Sequence, residues 1–131
     1  MIKKVFICYS YGNREKYREF HEKLKEWMSG MGINVYSFVF DFTEKSDPKT
    51  MMTLVKNEID SSDLLLGELS DESVGVGLEI GYAHGKGIKT GYLYKVDSFY
   101  DPVIAGIVDY VIEYSNADDV ISWFKKYFSE I

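Results

Sequence analysis

A single cysteine, Cys8, in 131 residues leaves no internal disulfide to staple the chain, which suits a reducing cytoplasm. Cys8 sits in the apolar run from Val5, where it reads as a buried spectator thiol. With two histidines beside that one cysteine, no pair of ligands stands at metal-binding spacing, and neither a metal nor a cofactor is expected. Only two prolines occur, and no compositionally biased tract, so no disordered segment is expected. No window approaches the roughly 20 apolar residues of a membrane span, and the stretch after Met1-Ile2-Lys3-Lys4 is too short for a signal peptide. Bases are also short: 15 against 21 acids gives a net charge of -6, the wrong sign for a protein held to nucleic acid by phosphate neutralisation. Expected partners are small molecules or other proteins.

What is present is a globular composition, 46% hydrophobic and 16% aromatic, in a length that makes one domain, residues 1–131. Lys4 to Tyr9 reads as a buried strand, followed by the turn Ser10-Tyr11-Gly12-Asn13. From Arg14 to Ser29 the apolar residues Tyr17, Phe20, Leu24, Trp27 and Met28 recur at helical steps until Gly30 and Gly32. Asn34 to Phe40, rich in β-branched and aromatic residues, reads as a second strand. A polar connection, Asp41 to Lys49, leads to a helix from Pro48 or Lys49 to Ile59. A third strand begins at Leu64–Leu66. After it come a helix from Val74 to His84, a strand at Lys89–Tyr94, a loop with a short helix around Pro102–Ile107, a strand at Tyr110–Tyr114 and a helix at Ala117–Phe128. Apolar strands alternating with helices predict an α/β fold, a doubly wound five-stranded parallel sheet of flavodoxin-like or Rossmann-like type with helices on both faces. Ligands bind such folds beyond the carboxyl ends of the strands, where strand order reverses, so the loops after strands one and three are the expected site.

The second of those loops holds the densest motif, Leu69-Ser-Asp-Glu-Ser73-Val-Gly75-Val-Gly77-Leu-Glu79-Ile-Gly-Tyr-Ala83. With Ser73 as N-cap, the amides of Val74 to Val76 are first-turn donors without intrahelical partners. Gly75 and Gly77 leave room for a ligand to approach them. Glu79, in the second turn, is a carboxylate at a cleft mouth and a candidate nucleophile. A plainer reading makes the glycines a means of close packing and Glu79 a solvated acid; Gly81 and Ala83 are assigned to packing outright. A dinucleotide fingerprint fits poorly, because G-x-G-x-x-x-G follows the third strand and not the first.

The run from Asp63 through Leu69, Ser70 and Ser73 to Glu79, Gly81 and Ala83 resembles the signature of the nucleoside 2-deoxyribosyltransferase family, including the related nucleoside 5'-monophosphate N-glycosidases. The resemblance extends from "VFICYS" to the final helix. It implies cleavage of an N-glycosidic bond with Glu79 as nucleophile and a nucleoside or nucleotide as substrate. Ser73 stands six residues before the nucleophile, where the monophosphate hydrolases resemble this chain and the transferases carry an acid; a neutral hydroxyl there admits a phosphate that a carboxylate would repel. Two positions depart from the pattern: Phe6 replaces a tyrosine in the first strand, and Val55 replaces an aspartate. Tyr9, Tyr11 and Asp41 are the nearby groups that could stand in.

Tyr9 and Ser10 are candidate substrate contacts by position, as is Asp101, whose loop in the family reaches a neighbouring subunit's site. The family likeness, with Phe99 and Tyr100 in an aromatic loop, implies a homo-oligomer built from dimers. His21, among charged residues, and His84, near a helix end, read as surface or C-cap histidines. Trp27, Trp123, Phe124 and Phe128 read as core. The segment from Lys3 to Tyr36 also resembles the opening of TIR domains, which implies as alternatives an NAD glycohydrolase or a non-enzymatic signalling module.

Overall fold

The computed structural model describes residues 1–128. Five strands, β1 (Lys4–Cys8), β2 (Asn34–Tyr36), β3 (Leu64–Glu68), β4 (Lys89–Lys95) and β5 (Tyr110–Tyr114), form one sheet in the order β2-β1-β3-β4-β5. Every pairing is parallel. The helices are α1 (Arg18–Gly30), α2 (Phe38–Asp41), α3 (Pro48–Asp60), α4 (Val74–Gly85), α5 (Pro102–Ile107) and α6 (Ala117–Phe128), with a 3-10 helix at Tyr11–Tyr17 leading into α1. The chain steps from β1 outward to β2, then crosses back to β3 and proceeds the other way, so the strand order reverses between β1 and β3, as the doubly wound reading requires.

Because side chains alternate across each strand, the sheet feeds two cores. Val5, Ile7, Leu64, Leu66, Leu93 and Ile112 face α1 and α6, while Phe6, Cys8, Leu65 and Tyr92 face α3 and α4. Trp27 and Trp123 are partly buried against the first core, and Phe124 and Phe128 lie within it. At the far end of the sheet, the Lys3 and Lys4 amides donate to Asp63 Oδ2 at 2.8 and 3.0 Å, tying β1 to the start of β3. Asp63 is thus a structural acid remote from the loops after β1 and β3.

Two expectations need correction. The second strand does not run to Phe40: it ends at Tyr36, and Phe38–Asp41 forms a short helix with Asp41 Oδ2 accepting from the Ser37 amide at 2.8 Å. The segment satisfies β-propensity, yet Phe38 and Phe42 stand four apart and stack at 4.6 Å, a helix-type spacing. His21 is not on the surface either; it is buried at 3% exposure. Its sequence neighbours are charged, but on a helix it shares the stripe of Tyr17, Leu24 and Met28. His21 Nδ1 lies 2.9 Å from the Tyr9 hydroxyl, its ring stacks on Phe40 at 4.7 Å, and its Nε2 has no partner among the described residues.

Burial pushes the His21 pKa down from 6.5 to about 4, so the folded protein resists a proton that the unfolded chain accepts. The resulting stability is complete above pH 6.5 and is lost as pH falls toward 4. Wild type should therefore lose about 3 kcal/mol more unfolding free energy than His21→Leu between pH 7 and pH 4. Urea melts of the two proteins at a series of pH values check this; parallel pH profiles would refute it.

Candidate active site

Helix α4 can carry its residues into the cleft only because β3 leaves room beneath it. A Cβ built on Gly67 would lie 2.5 Å from Ile80 Cδ1, closer than packed atoms tolerate, and 3.2 Å from Val76 Cγ1, a tight contact. With Gly67 bare, Val76, Ile80 and Ala83 seat α4 on the sheet, and Glu79 follows one turn after Val76 on that inward side. Its Oε2 is buried without a hydrogen-bond partner. Burial pushes the Glu79 carboxyl up to about 7, while the neighbouring Cys8 thiol pulls weakly the other way. Glu79 is therefore not a solvated surface acid. Cys8 is buried, as the sequence reading expects, and neighbours the Glu79 carboxyl.

Glu79 opens into a cavity of about 870 Å³ at the point of strand-order reversal, bounded by Tyr9–Gly12 after β1, Phe38, Val39 and Phe42–Ser46 beyond β2, Met51 of α3, and Ser73 and Gly75 at the start of α4. Ser73 is the N-cap, its Oγ accepting from the Val76 amide at 3.3 Å. That bond removes one of the three amides expected to be free; those of Val74 and Gly75 keep no partner among the described residues. Ser10 and Tyr9 reach the same cavity, although the Tyr9 hydroxyl turns back to His21. The stacked Phe38 and Phe42 rings form an aromatic wall opposite the polar helix start. Sequence reasoning passed over these two residues because it placed Phe38 in a strand; their four-residue spacing was the available signal.

Gly77 and Asp101 fall elsewhere. They line a separate recess of about 190 Å³ with Glu72, Ser73, Phe99 and Ile104. Asp101 meets it from its own chain, and its Oδ1 accepts from the Val103 amide at 2.9 Å as the N-cap of α5. Among the described residues, Ser73 alone borders both spaces.

A second carboxyl, Glu68, went unnoticed in the run Leu64-Leu-Leu-Gly-Glu68. It is 1% exposed and faces away from Glu79, toward α1 and α6. It accepts from the Ser70 amide and hydroxyl, both at 2.7 Å, and from the Tyr114 hydroxyl. Burial raises its pKa, and these donors oppose the rise. Ser70 Oγ in turn accepts from the Lys95 amide at 2.7 Å. Glu68 thereby ties the loop that leads to Ser73 to the ends of β4 and β5. An acid at the end of an apolar strand was the signal for it.

No family model matches the chain, and no curated protein matches its sequence. Solved structures do. The CMP N-glycosidase BcmB of Clostridium botulinum superposes with a TM-score of 0.73 at 19% identity, covering 95% of this chain and 100% of that one. A 2-deoxyribosyltransferase from Bacillus psychrosaccharolyticus gives 0.67 at 17% identity and 89% coverage of both chains. A 2-desoxiribosyltransferase from Leishmania mexicana gives 0.68 at 10% identity, covering 96% of this chain and 99% of that one. The chain has the fold of these enzymes over nearly its whole length.

Proposed function

We propose that the protein cleaves the N-glycosidic bond of a nucleoside 5'-monophosphate or nucleoside, as a nucleoside 2-deoxyribosyltransferase-like N-glycosidase. The observation that carries this reading is Glu79: a carboxyl with one buried, unpartnered oxygen, opening into a cavity with an aromatic wall and a helix start. Most buried carboxyls are satisfied as Glu68 is; one left unsatisfied in a cleft fits a reactive group. The shared fold with a CMP N-glycosidase and with deoxyribosyltransferases supports the choice of reaction.

In the proposed reaction the ionised Glu79 carboxylate attacks the anomeric carbon, forming a C–O bond as the C–N bond breaks. The bonding electron pair leaves with the base, which takes up a proton. Water, or a second base in a transferase, then displaces the glycosyl ester and restores the carboxylate. The base would stack on the wall made by Phe38 and Phe42. A 5'-phosphate would take the free Val74 and Gly75 amides beside Ser73. Asp101 and Glu72 line the adjoining recess and not the cavity, and the neutral Ser73 hydroxyl at the helix start favours the monophosphate. The proposed partner of the exposed apolar residues Val74, Leu78, Val103 and Tyr100 is a second copy of the chain, which light scattering at micromolar concentration reads as twice the mass of one chain. A monomer would exclude it.

Glu79→Gln should lower base release from cytidine 5'-monophosphate by about 100-fold or more. In wild type kcat/KM should rise with pH and level off above a midpoint of about 7, where the nucleophile is ionised. The same variant should be more stable than wild type at pH 8 and equal to it near pH 4, because a raised carboxyl pKa favours the fold at low pH and costs stability as pH rises through the folded value. Full turnover in Glu79→Gln would overturn the assignment. Release of nicotinamide from NAD, with none of cytosine, would favour the TIR-like reading.

For Ser73, the measurement is kcat/KM on cytidine 5'-monophosphate against cytidine, in wild type and Ser73→Ala. A preference for the monophosphate that shrinks several-fold in the variant is expected. Equal or better use of the free nucleoside by wild type would move the protein to the transferase side.

A further inference from the structure

Glu79 needs something to hold its carboxylate, and the groups expected to do so are engaged or absent. Phe6 and Val55 are fully buried on the α3 and α4 side of the sheet but present only carbon. The Tyr9 hydroxyl is 2.9 Å from His21 Nδ1. Asp41 accepts from the Ser37 amide at 2.8 Å and pairs with Lys25 at 3.3 Å. The Tyr11 ring is 64% exposed and lies under the Arg14 guanidinium.

Cys8 is differently placed. It ends β1, is 4% exposed, and faces the same side as Phe6. Its register partner is Gly67, the position over which α4 comes closest. The thiol therefore lies under the turn of α4 that bears Glu79, as a direct neighbour of that carboxyl. Its sulfur is 3.6 Å from the Leu66 carbonyl oxygen. The S–H thus meets a neutral carbonyl in the structure, with a carboxyl that has a bare oxygen as its other polar neighbour.

Resting on the reading of Glu79 as nucleophile, we propose that Cys8 is its positioning residue, donating its S–H to the carboxylate when Glu79 is ionised and to the Leu66 carbonyl when Glu79 is protonated. A thiol is a weak donor, but the carboxylate has a buried, bare oxygen, so even a weak donor favours the ionised form and fixes its rotamer. The other charged or titratable groups lining the cavity are Tyr9, Tyr11, Glu44 and Lys45.

The test reads Glu79 directly, by carbon-13 NMR titration of the glutamate carboxyls, with the Glu79 signal assigned by its loss in Glu79→Gln. In Cys8→Ala the midpoint should rise by about half a pH unit, and in Cys8→Ser, which keeps a donor, it should return to the wild-type value or below. Cys8→Val, which fills the space without a donor, should behave as Cys8→Ala and so separates lost hydrogen bonding from a water-filled gap. An unchanged or lower midpoint in both Cys8→Ala and Cys8→Val, or a Cys8→Ser protein that titrates as they do, would overturn the proposal. A parallel assay of cytosine release from cytidine 5'-monophosphate should show the acid limb moving with the NMR midpoint, at unchanged KM. If the midpoint moves but no base is released, the thiol–carboxyl coupling stands and the proposed reaction falls. If base is released and the midpoint ignores Cys8, the reverse holds.

Discussion

The close seating of α4 on β3 at Gly67 is the constraint on which the site depends. A methyl group there would collide with Ile80 and crowd Val76, and overpacking of that kind is relieved only by moving the helix or shifting rotamers. Glu79, the Ser73 cap and the Cys8 neighbour all have their positions through this one helix and the strands beneath it. A displacement of α4 by the width of a methyl group would pull the carboxyl away from β1 and break the relation between helix start and cleft. Glycine is required at position 67 for what approaches it and not for its own backbone, which is ordinary strand.

The two carboxyls flanking this segment are handled in opposite ways. Glu68 is the more deeply buried, yet three donors meet it, and the energy of burying it is offset by hydrogen bonds that also lock Ser70 and Tyr114. Glu79 is open on one side to the cavity and closed on the other, with one oxygen bare. Satisfied buried acids build structure, and unsatisfied ones raise the energy of the folded protein. A cost of that kind is found where a reactive group is needed. The pair divides the labour: Glu68 secures the loop, and Glu79 faces the cleft.

The sheet, its parallel sense, the helix beginning at Val74 and the cleft beyond strands one and three were legible in the sequence, because period and punctuation are local properties. Ser73 and Glu79 were legible as a cap and an acid at fixed steps along one helix. The end of β2 was not, since Phe38 to Phe42 satisfies strand propensity and helical spacing at once and only the packed neighbours decide between them. His21 was misread through its sequence neighbours, although the heptad-like steps from Tyr17 to Met28 already contained it.

Across elements, sequence spacing carries no distance. Nothing along the chain relates Cys8 to Glu79, or Glu68 to Tyr114, or separates Gly77 and Asp101 from the cavity that Gly75 shares. Those relations come from strand register, in which Cys8 lies opposite Gly67, and from the side of the sheet to which each residue points. The sequence by itself determined which segments are strands and helices, where the cap falls and which acid it precedes, because these follow from neighbours within one or two turns. Only the tertiary structure decided which polar groups are left without partners, because a buried oxygen is satisfied or bare according to what long-range packing brings against it.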